Sequence, residues 1–224
     1  MTPANPVAPI GPRDPKAANR EQVRKAILDQ ASAILALEGP HALSMRKLSE
    51  KVGASTIVLY TYFKDKQDIL NELYREGFMR LQHDLEAVPA GADPMEYVMA
   101  LGRAYRRSAV ANATYYEIMF SQCVQGFTPS AESMEASKTC FAVLRASVQR
   151  CMDGGCIANG SATHTAQVLW GTLHGIISLE LFGYLGATGM GEARLEQAIQ
   201  TIKAGLALAP TPELEPKTLR KPKK

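Results

Sequence analysis

The chain has 224 residues, which is long enough for two modules that each bury a core. Its hydrophobic content of 46% and charged content of 21% are ordinary for a globular protein and exclude a chain that is disordered throughout. No run of about 18 apolar residues lacks a charge or a glycine, and no apolar signal core opens the chain, so the sequence predicts a cytoplasmic protein without membrane contact.

The net charge of +3 is unevenly distributed along the chain. Residues 1–66 and the tail after residue 210 carry an excess of Lys and Arg, whereas residues 67–210 carry an excess of Asp and Glu. A polyanion such as DNA would therefore be attracted to the first third of the chain and repelled by the middle. The same small differences also fit an ordinary solvated surface.

The N-terminal segment predicts an arm followed by a helix. Residues 1–18 contain five prolines without apolar periodicity, which is typical of a disordered arm. Asn19 and Gln22 resemble a capping box, and apolar residues then recur on one helical face until Gly39 and Pro40. The sequence therefore predicts a first helix from Asn19.

Two short helices follow. Ser44 is a suitable N-cap for the second predicted helix, and Gly53 suits the left-handed turn that ends it. Ser55 can cap a third helix over residues 56–62. The β-branched and aromatic residues of this third segment favour a strand by propensity, but a strand here would have no nearby partner.

The rest of the chain continues the helical pattern. Asp65 and Asp68 suit the N-cap and third position of a long fourth helix that ends before Pro89. Breaks rich in Gly, Pro and Asn separate five further predicted helices, at residues 93–110, 113–124, 130–153, 161–186 and 191–208. The predicted fold class is all-α, followed by a disordered basic tail over residues 211–224.

The segment 44–66 has the spacing of a helix-turn-helix, in which two short helices are joined by a four-residue turn. Leu48, Val52, Leu59 and Phe63 are predicted to face inward. The second of the two helices then presents five outward-facing residues, which are Thr56, Ile57, Val58, Tyr60 and Thr61. Its size suits the major groove of DNA.

The outward-facing set predicts how bases would be read. Apolar side chains on a solvent face are unfavourable unless another surface covers them. Because Arg, Asn and Gln are missing from this face, we expect Ile57 and Val58 to contact thymine methyl groups while the hydroxyls form hydrogen bonds. The remaining predicted DNA contacts are the flanking hydroxyls and cations, most of them to phosphates: Ser44, Arg46, Ser55, Tyr62, Lys64 and Lys66.

The same stretch closely resembles the TetR family of repressors. It has a helix ending in GAS at residues 53–55, the run LYTYF at 59–63, and KDK at 64–66 before DIL at 68–70. The resemblance covers about residues 20–70. It implies an all-α homodimer with a three-helix DNA-binding head, joined through the fourth helix to a ligand-binding body, which releases its palindromic operator when an effector binds. The chain departs from the family pattern at Thr56, Ile57 and Val58, which leaves the operator sequence open.

The domain organisation predicted from these features has four parts. They are the arm (1–18), a helix-turn-helix DNA-binding domain (19–66), a helical effector-binding and dimerisation domain (67–210) and the tail (211–224). The expected function is a repressor released by a small molecule. A thiol-based redox regulator and a ligand-independent activator on the same fold are the alternatives.

The predicted effector pocket belongs to the second domain. Trp170-Gly171 and His174-Gly175 resemble the Trp-His-Gly signature of one group of TetR C-terminal domains. Aromatic and thioether side chains suit a flat or adaptable apolar ligand, and the candidate lining is Tyr105, Tyr116, Met119, Phe120, Cys123, Trp170 and His174. For each of these residues a place in the helical core is the alternative. Glu117 and Glu180 would favour a cationic ligand or lie on the surface.

The last two predicted helices suggest a dimer face. Small residues in the segment 161–186 allow another helix to approach closely. The family resemblance implies an interface built from Ile176, Leu179, Tyr184, Leu195, Ile199, Ile202 and Leu206. The same stripes also fit a monomer core, because periodicity does not distinguish the two.

The cysteines and the missing motifs limit the chemistry. Cys123, Cys140, Cys151 and Cys156 lack CxxC spacing and lie among apolar residues, which is typical of buried reduced thiols. There are two alternatives to inert thiols. One is a zinc site built from Cys151, Cys156 and His164, and the other is a redox pair of Cys151 and Cys156. The sequence has no nucleophile elbow, Gly-rich phosphate loop or HExxH motif, so neither catalysis nor a cofactor is predicted.

Overall fold

The computed structural model describes residues 15–91, 93–120, 126–186 and 190–208. Within these ranges the chain forms helices and no strand, which confirms the predicted all-α class. The helices are α1 (Pro15–Glu38), α2 (Met45–Val52), α3 (Thr56–Tyr60), α4 (Lys66–Glu86), α5 (Pro94–Ala111), α6 (Ala113–Phe120), α7 (Ala131–Asp153), α8 (Ala162–Leu181) and α9 (Met190–Leu208). A 3-10 turn, Pro40–Ala42, which the sequence did not predict, lies between α1 and α2.

Helix α1 starts four residues earlier than predicted. It begins at Pro15, so Asn19 lies inside the helix and the predicted capping box at Asn19 is wrong. Proline is tolerated in the first turn because its missing N–H would have no helical partner there, and its φ angle is already helical. The predicted arm before Pro15 and the predicted tail over residues 211–224 lie outside the described residues.

The caps of α2 and α3 form as predicted. Ser44 Oγ accepts a hydrogen bond from the backbone N–H of Lys47, and Ser55 Oγ accepts one from that of Val58. Gly53 ends α2 with a φ of 72°, in the left-handed region that glycine adopts without strain. These three local signals fix the turn between the two helices.

Helix α3 is shorter than the predicted 56–62. The backbone N–H groups of Thr61 and Tyr62 donate to carbonyls three residues back, at Val58 and Leu59. Such tighter bonding is common in the last turn of a helix and ends the α-helical ladder early. The recognition helix predicted from the sequence is therefore little more than one turn long.

Helix α4 begins as predicted, with reciprocal bonds at its start. Asp65 Oδ1 accepts from the backbone N–H of Asp68 at 2.8 Å. The Asp68 carboxylate in turn accepts from the backbone N–H of Lys64 at 3.0 Å. Donors at the first turn of α4 are thus paired, and the chain direction between α3 and α4 is fixed.

The chain forms two compact units, the first ending at Leu73 with residues 126–127 added, and the second comprising most of the remainder. The boundary lies inside α4, whereas the sequence placed it between residues 66 and 67. The reason is burial: Ile69, Leu70 and Leu73, from the first two turns of α4, are closed off from solvent in the core of the first unit. That core also contains Ile27, Leu48, Leu59 and Phe63.

The second unit packs around α5, which contacts α6, α7, α8 and α9. Gly102 lets α5 approach its neighbours, because a Cβ atom there would lie 2.8 Å from Leu173 Cδ1 on α8. Helix α8 ends at Leu181, not at the predicted residue 186, and Gly183 follows with a φ of 77°. Among the described residues no helix has the length and apolar character needed to cross a bilayer.

Candidate functional site

The outward face of α3 is exposed and largely apolar. Leu59 and Phe63 are buried and hold the helix against the first unit. On the opposite side Ile57 is 77% exposed, Tyr60 55% and Val58 41%. Thr61 is also exposed and Thr56 is half-buried, so the structure brings the predicted reading residues to one face, with Thr56 at its edge. Such a face on so short a helix is suited to being covered by another surface.

Two hydroxyls on this face are partly committed to the backbone. Thr61 Oγ1 donates to the carbonyl oxygen of Val58 at 2.7 Å, so toward a base it acts as an acceptor. Ser55 Oγ accepts from the backbone of Val58, which leaves its own proton free to donate. Together with the exposed phenol of Tyr60, the face offers both donor and acceptor chemistry beside its apolar centre.

The flanking cations differ in how firmly they are held. Lys64 is exposed, and Arg46 is paired with Glu50 at 3.2 Å in an exposed ion pair. Exposed pairs of this kind contribute little and exchange partners easily. Lys66 is half-buried, and its ammonium donates to the carbonyl oxygen of Pro40 at 3.1 Å. Lys66 therefore joins the start of α4 to the 3-10 turn, a structural role that the sequence did not predict.

Arg20 is a cation beside α3 that sequence analysis missed. Its guanidinium donates to the carbonyl oxygen of Thr61 at 3.2 Å and lies 5.8 Å from the centre of the Tyr62 ring. Arg20 belongs to α1 and is exposed, and its guanidinium reaches the C-terminal end of α3. A separation of 41 residues gives no periodic signal that links the two helices, so only the fold reveals this contact.

The second unit encloses a cavity of about 370 Å³. Four predicted pocket residues line it, namely Tyr105, Met119, Phe120 and Trp170. Tyr116 and His174 do not line it, and Cys123 lies outside the described residues. The sequence missed further apolar lining from α4, α5 and α7, including Tyr74, Phe78, Leu81, Met99, Phe141 and Leu144.

Tyr116 and His174 instead form a hydrogen-bonded cluster behind the cavity wall. The hydroxyls of Tyr105 and Tyr116 lie 2.8 and 2.7 Å from His174 Nδ1. Trp170 Nε1 donates to the Tyr105 hydroxyl at 3.3 Å, and the Tyr116 hydroxyl is 2.9 Å from Ser178 Oγ. The cluster joins α5, α6 and α8, and it reaches the cavity through Tyr105 and Trp170.

Burial keeps this cluster neutral. It lowers the pKa of His174 below 6.5 and raises the pKa of both Tyr105 and Tyr116 above the ordinary value of 10. A neutral imidazole has one acceptor nitrogen with one lone pair, so the two tyrosine hydroxyls compete for Nδ1. Each tyrosine has a second partner, which is Ser178 for Tyr116 and the indole N–H of Trp170 for Tyr105.

The two glutamates that suggested a cationic ligand lie elsewhere. Glu180 forms a bidentate ion pair with Arg106, with N–O distances of 2.8 and 2.6 Å, and both side chains are largely buried. Glu117 is exposed, and neither glutamate lines the cavity. Neither glutamate therefore supports a cationic ligand in this cavity, and the alternative of a surface position holds for Glu117.

Two of the described cysteines, Cys140 and Cys151, are poor nucleophiles. Burial raises the pKa of Cys140 to about 12 and that of Cys151 to about 11. Thiols held protonated in this way react slowly with oxidants, which weakens the case for a redox pair of Cys151 and the half-buried Cys156. No group of three His, Cys, Asp or Glu residues is arranged for a metal ion in the part of the chain that the structure describes.

The predicted dimer residues divide into two groups. Leu179 and Tyr184 are exposed, and Ile176, Ile202 and Leu206 are half-buried. Leu195 and Ile199 are buried within a single chain, so their placement in a dimer interface is wrong. The reason is that α9 turns this side toward α5 and α8, where Ile199 also lines the cavity.

Two family models match the chain. One, described as bacterial regulatory proteins of the tetR family, matches residues 27–73, and the other, described as a tetracyclin repressor-like C-terminal domain, matches residues 98–202. The chain is 30% identical over 95 residues to the HTH-type transcriptional regulator BetI of Rhizobium meliloti. It is 27% identical over 78 residues to the fatty acid metabolism regulator protein of Bacillus subtilis. These matches span 42% and 33% of this chain and only 47% and 40% of those relatives.

Solved structures cover more of the chain. A protein of unknown function from Rhodococcus sp. RHA1 superimposes with a TM-score of 0.73 and 28% identity, over 83% of this chain and 95% of that one. The TetR family transcriptional regulator PfmR from Thermus thermophilus shares the fold, with a TM-score of 0.67 and 22% identity, over 80% and 98% of the two chains. With both units matched by models of one family, the chain belongs to the TetR family of bacterial transcriptional regulators.

Proposed function

We propose that the chain is a repressor that binds a palindromic operator as a homodimer and releases it when a small, largely apolar effector enters the cavity. The observation that carries the proposal is the exposed apolar face of α3, held outward by the buried Leu59 and Phe63. A surface of this kind, one helix wide and flanked by cations, matches the major groove in size and charge.

Readout of the operator follows from the residues on that face. In this proposal the exposed Ile57 and Val58 contact thymine methyl groups, and the exposed Tyr60 hydrogen-bonds to base edges. Lys64 follows α3 in the chain, Arg46 belongs to α2, and Arg20 bonds to the carbonyl of Thr61 at the end of α3. All three are exposed and available to phosphates, which position the helix without reading sequence. Replacing the half-site thymines by uracil should weaken binding, and unchanged affinity would contradict this mode of readout.

A dimer is supported by the exposed side of α8. Val168, Leu179 and Phe182 are exposed there, and Gly171 and Gly175 have open space where a Cβ would project. Small residues between apolar ones allow a second helix to pack closely. Pairing also supplies affinity, because one short recognition helix makes too few contacts for specific binding and two half-sites double them.

An apolar effector is supported by the cavity. Its volume of about 370 Å³ lies in the range of small-molecule sites, and its lining is mostly aliphatic and aromatic. The name of the Bacillus subtilis relative connects that protein with fatty acid metabolism, which is consistent with an apolar effector here. The cavity also favours an effector-responsive regulator over a ligand-independent activator.

Helix α4 is the proposed route of coupling. Its early residues Leu70 and Leu73 belong to the core of the first unit, and its later residues Tyr74 and Phe78 line the cavity. We propose that an effector in the cavity displaces these later residues and that the displaced state has a lower affinity for the operator. The effector can favour that state only if it binds it more tightly than the operator-binding state. By the same linkage, operator DNA must then weaken effector binding.

The proposal is tested by a nuclease footprint on the DNA flanking the coding region of the protein, repeated with candidate ligands. We expect a two-fold symmetric protected site that is lost on addition of a ligand that alters Trp170 fluorescence. Simultaneous binding of ligand and operator with unchanged affinities would contradict effector release, and the absence of any preferred duplex would contradict operator recognition.

A further inference from the structure

The cavity lining combines buried aliphatic side chains with side chains that reach solvent. Leu101 and Ile199 line it and are closed off from solvent, whereas Trp170 and Lys138 line it and reach solvent, with the Lys138 side chain 67% exposed. A ligand that fills this space therefore has one end among aliphatic side chains and the other at an opening. Such a lining suits an amphiphile, because its apolar tail can lie among the aliphatic side chains while its head group reaches solvent.

Lys138 is the charged member of the lining. Among the described residues that line the cavity, all others are apolar or neutral, and none is Asp or Glu. The Lys138 ammonium is paired with Glu135, one turn away on α7, at 3.0 Å, and both side chains are 67% exposed. An exposed pair at this spacing contributes only about 0.5 kcal/mol, so a ligand carboxylate can replace Glu135 at little cost.

The volume limits the length of the apolar part. A methylene group occupies a volume similar to the roughly 30 Å³ of a water molecule in the liquid. A cavity of about 370 Å³ therefore holds a chain of about a dozen non-hydrogen atoms. Longer chains would have to leave the cavity past Trp170 or expand it.

Resting on the proposed effector function, we propose that the effector is an anionic amphiphile, a single-chain carboxylate of about ten to twelve carbons, whose head binds the Lys138 ammonium while its tail lies against Leu101 and Ile199. The charge of Lys138 then selects the head group, and the aliphatic end selects the chain. Neither selection involves the hydrogen-bonded cluster around His174, which lies behind the wall.

The full-length chain provides its own reporter, because Trp170 is the single tryptophan and lines the cavity. Fluorescence titrations below the micellar range use decanoate, decanol and decyltrimethylammonium as probes. We expect decanoate to bind most tightly, and Lys138→Met to weaken it about fivefold to tenfold without changing decanol binding. Added salt should weaken binding of decanoate but not that of decanol.

Lys203→Met is the matched control. Lys203 is also a partly exposed lysine in an ion pair, with Glu96, but it does not line the cavity. Its replacement should leave all three titrations unchanged. The proposal is overturned if decanoate binds equally well to Lys138→Met and the unmodified chain, if decyltrimethylammonium binds more tightly than decanoate, or if none of the probes alters Trp170 emission.

Operator binding separates this inference from the proposed function. If decanol enters the cavity and lowers operator affinity while decanoate shows no dependence on Lys138, the head-group assignment fails and effector release stands. If decanoate binds through Lys138 but operator affinity does not change, the ligand assignment stands and effector release fails.

Discussion

The hydroxyl of Tyr105 on α5 lies 2.8 Å from Nδ1 of His174 on α8, although the two residues are 69 positions apart in sequence. The bond makes a cavity residue the neighbour of a half-buried imidazole that does not line the cavity. His174 is therefore part of the frame that positions the wall, and its protonation state affects how stable that frame is.

The first prediction concerns pH. Burial lowers the pKa of His174 in the folded chain below its ordinary 6.5, so between the two values the unfolded chain binds a proton that the folded chain does not. The free energy of unfolding should therefore fall as the pH drops below about 6.5, by at most about 1.4 kcal/mol per pH unit from this group. Denaturant titrations between pH 7.5 and pH 5 measure it.

His174→Gln is the control for this pH dependence, because glutamine keeps a hydrogen-bonding side chain but does not titrate. The variant should be less stable at pH 7.5 and should lose the part of the slope that lies below pH 6.5. An identical slope in both proteins would show that other groups cause the acid sensitivity.

The second prediction concerns Gly191, at the start of α9. A Cβ at this position would overlap the carboxylate of Glu180, which is held by its bidentate pair with Arg106. Gly191→Ala should therefore displace Glu180 and destabilise the fold by about 1–3 kcal/mol. Gly205→Ala, on the same helix with open space around the position, should be neutral or stabilise by up to about 1 kcal/mol. Equal effects of the two changes on thermal unfolding would contradict the role of this close approach.

The third prediction concerns phosphate contacts. Lys64→Ala should reduce the slope of log affinity against log salt by about 0.9 for each lost phosphate contact, hence by about 1.8 for the two half-sites of a dimer, with no change in stability, because Lys64 is exposed. Lys66→Ala should flatten the slope as well, but it should also lower the melting temperature, since its ammonium bonds to the carbonyl of Pro40. A salt slope that stays unchanged for Lys66→Ala would remove that residue from the DNA contacts and leave only its structural role.

The fourth prediction concerns assembly. Leu179 is 44% exposed on the apolar side of α8, so Leu179→Glu should leave the fold intact while preventing two chains from pairing. Sedimentation should then show a monomer, and operator affinity should fall by more than about tenfold, since one half-site contact is lost. Dimers of normal affinity would place the interface elsewhere. Glu135→Gln, an exposed change on α7, serves as the control.

Local signals in the sequence predicted the first unit well. Ser44, Gly53, Ser55 and Asp65 each act within four residues along the chain, and each forms the predicted cap or turn. The start of α1 was mistaken because Pro15 was counted with the prolines of the arm, although proline is also favourable in the first turn of a helix.

Contacts between distant helices were harder to predict. The stripe of α9 that contains Leu195 and Ile199 has the same periodicity whether it faces a partner or its own core, and only the fold shows that it is buried. In the same way, sequence analysis grouped His174 with Trp170 in the pocket lining, but it did not show that His174 bonds to tyrosines from α5 and α6 and does not line the cavity.

The most direct test of the account is the operator affinity of Ile57→Ala, measured beside that of Leu59→Ala after selection of the operator from random duplexes. Ile57 is 77% exposed and Leu59 is buried, so the first change should keep the stability of the chain while the second lowers it by about 2–5 kcal/mol. We predict that Ile57→Ala, fully folded, binds the operator about tenfold more weakly and discriminates less against sites that lack the contacted thymine. Unchanged affinity and specificity in this folded variant would contradict the assignment of α3 as the helix that reads DNA.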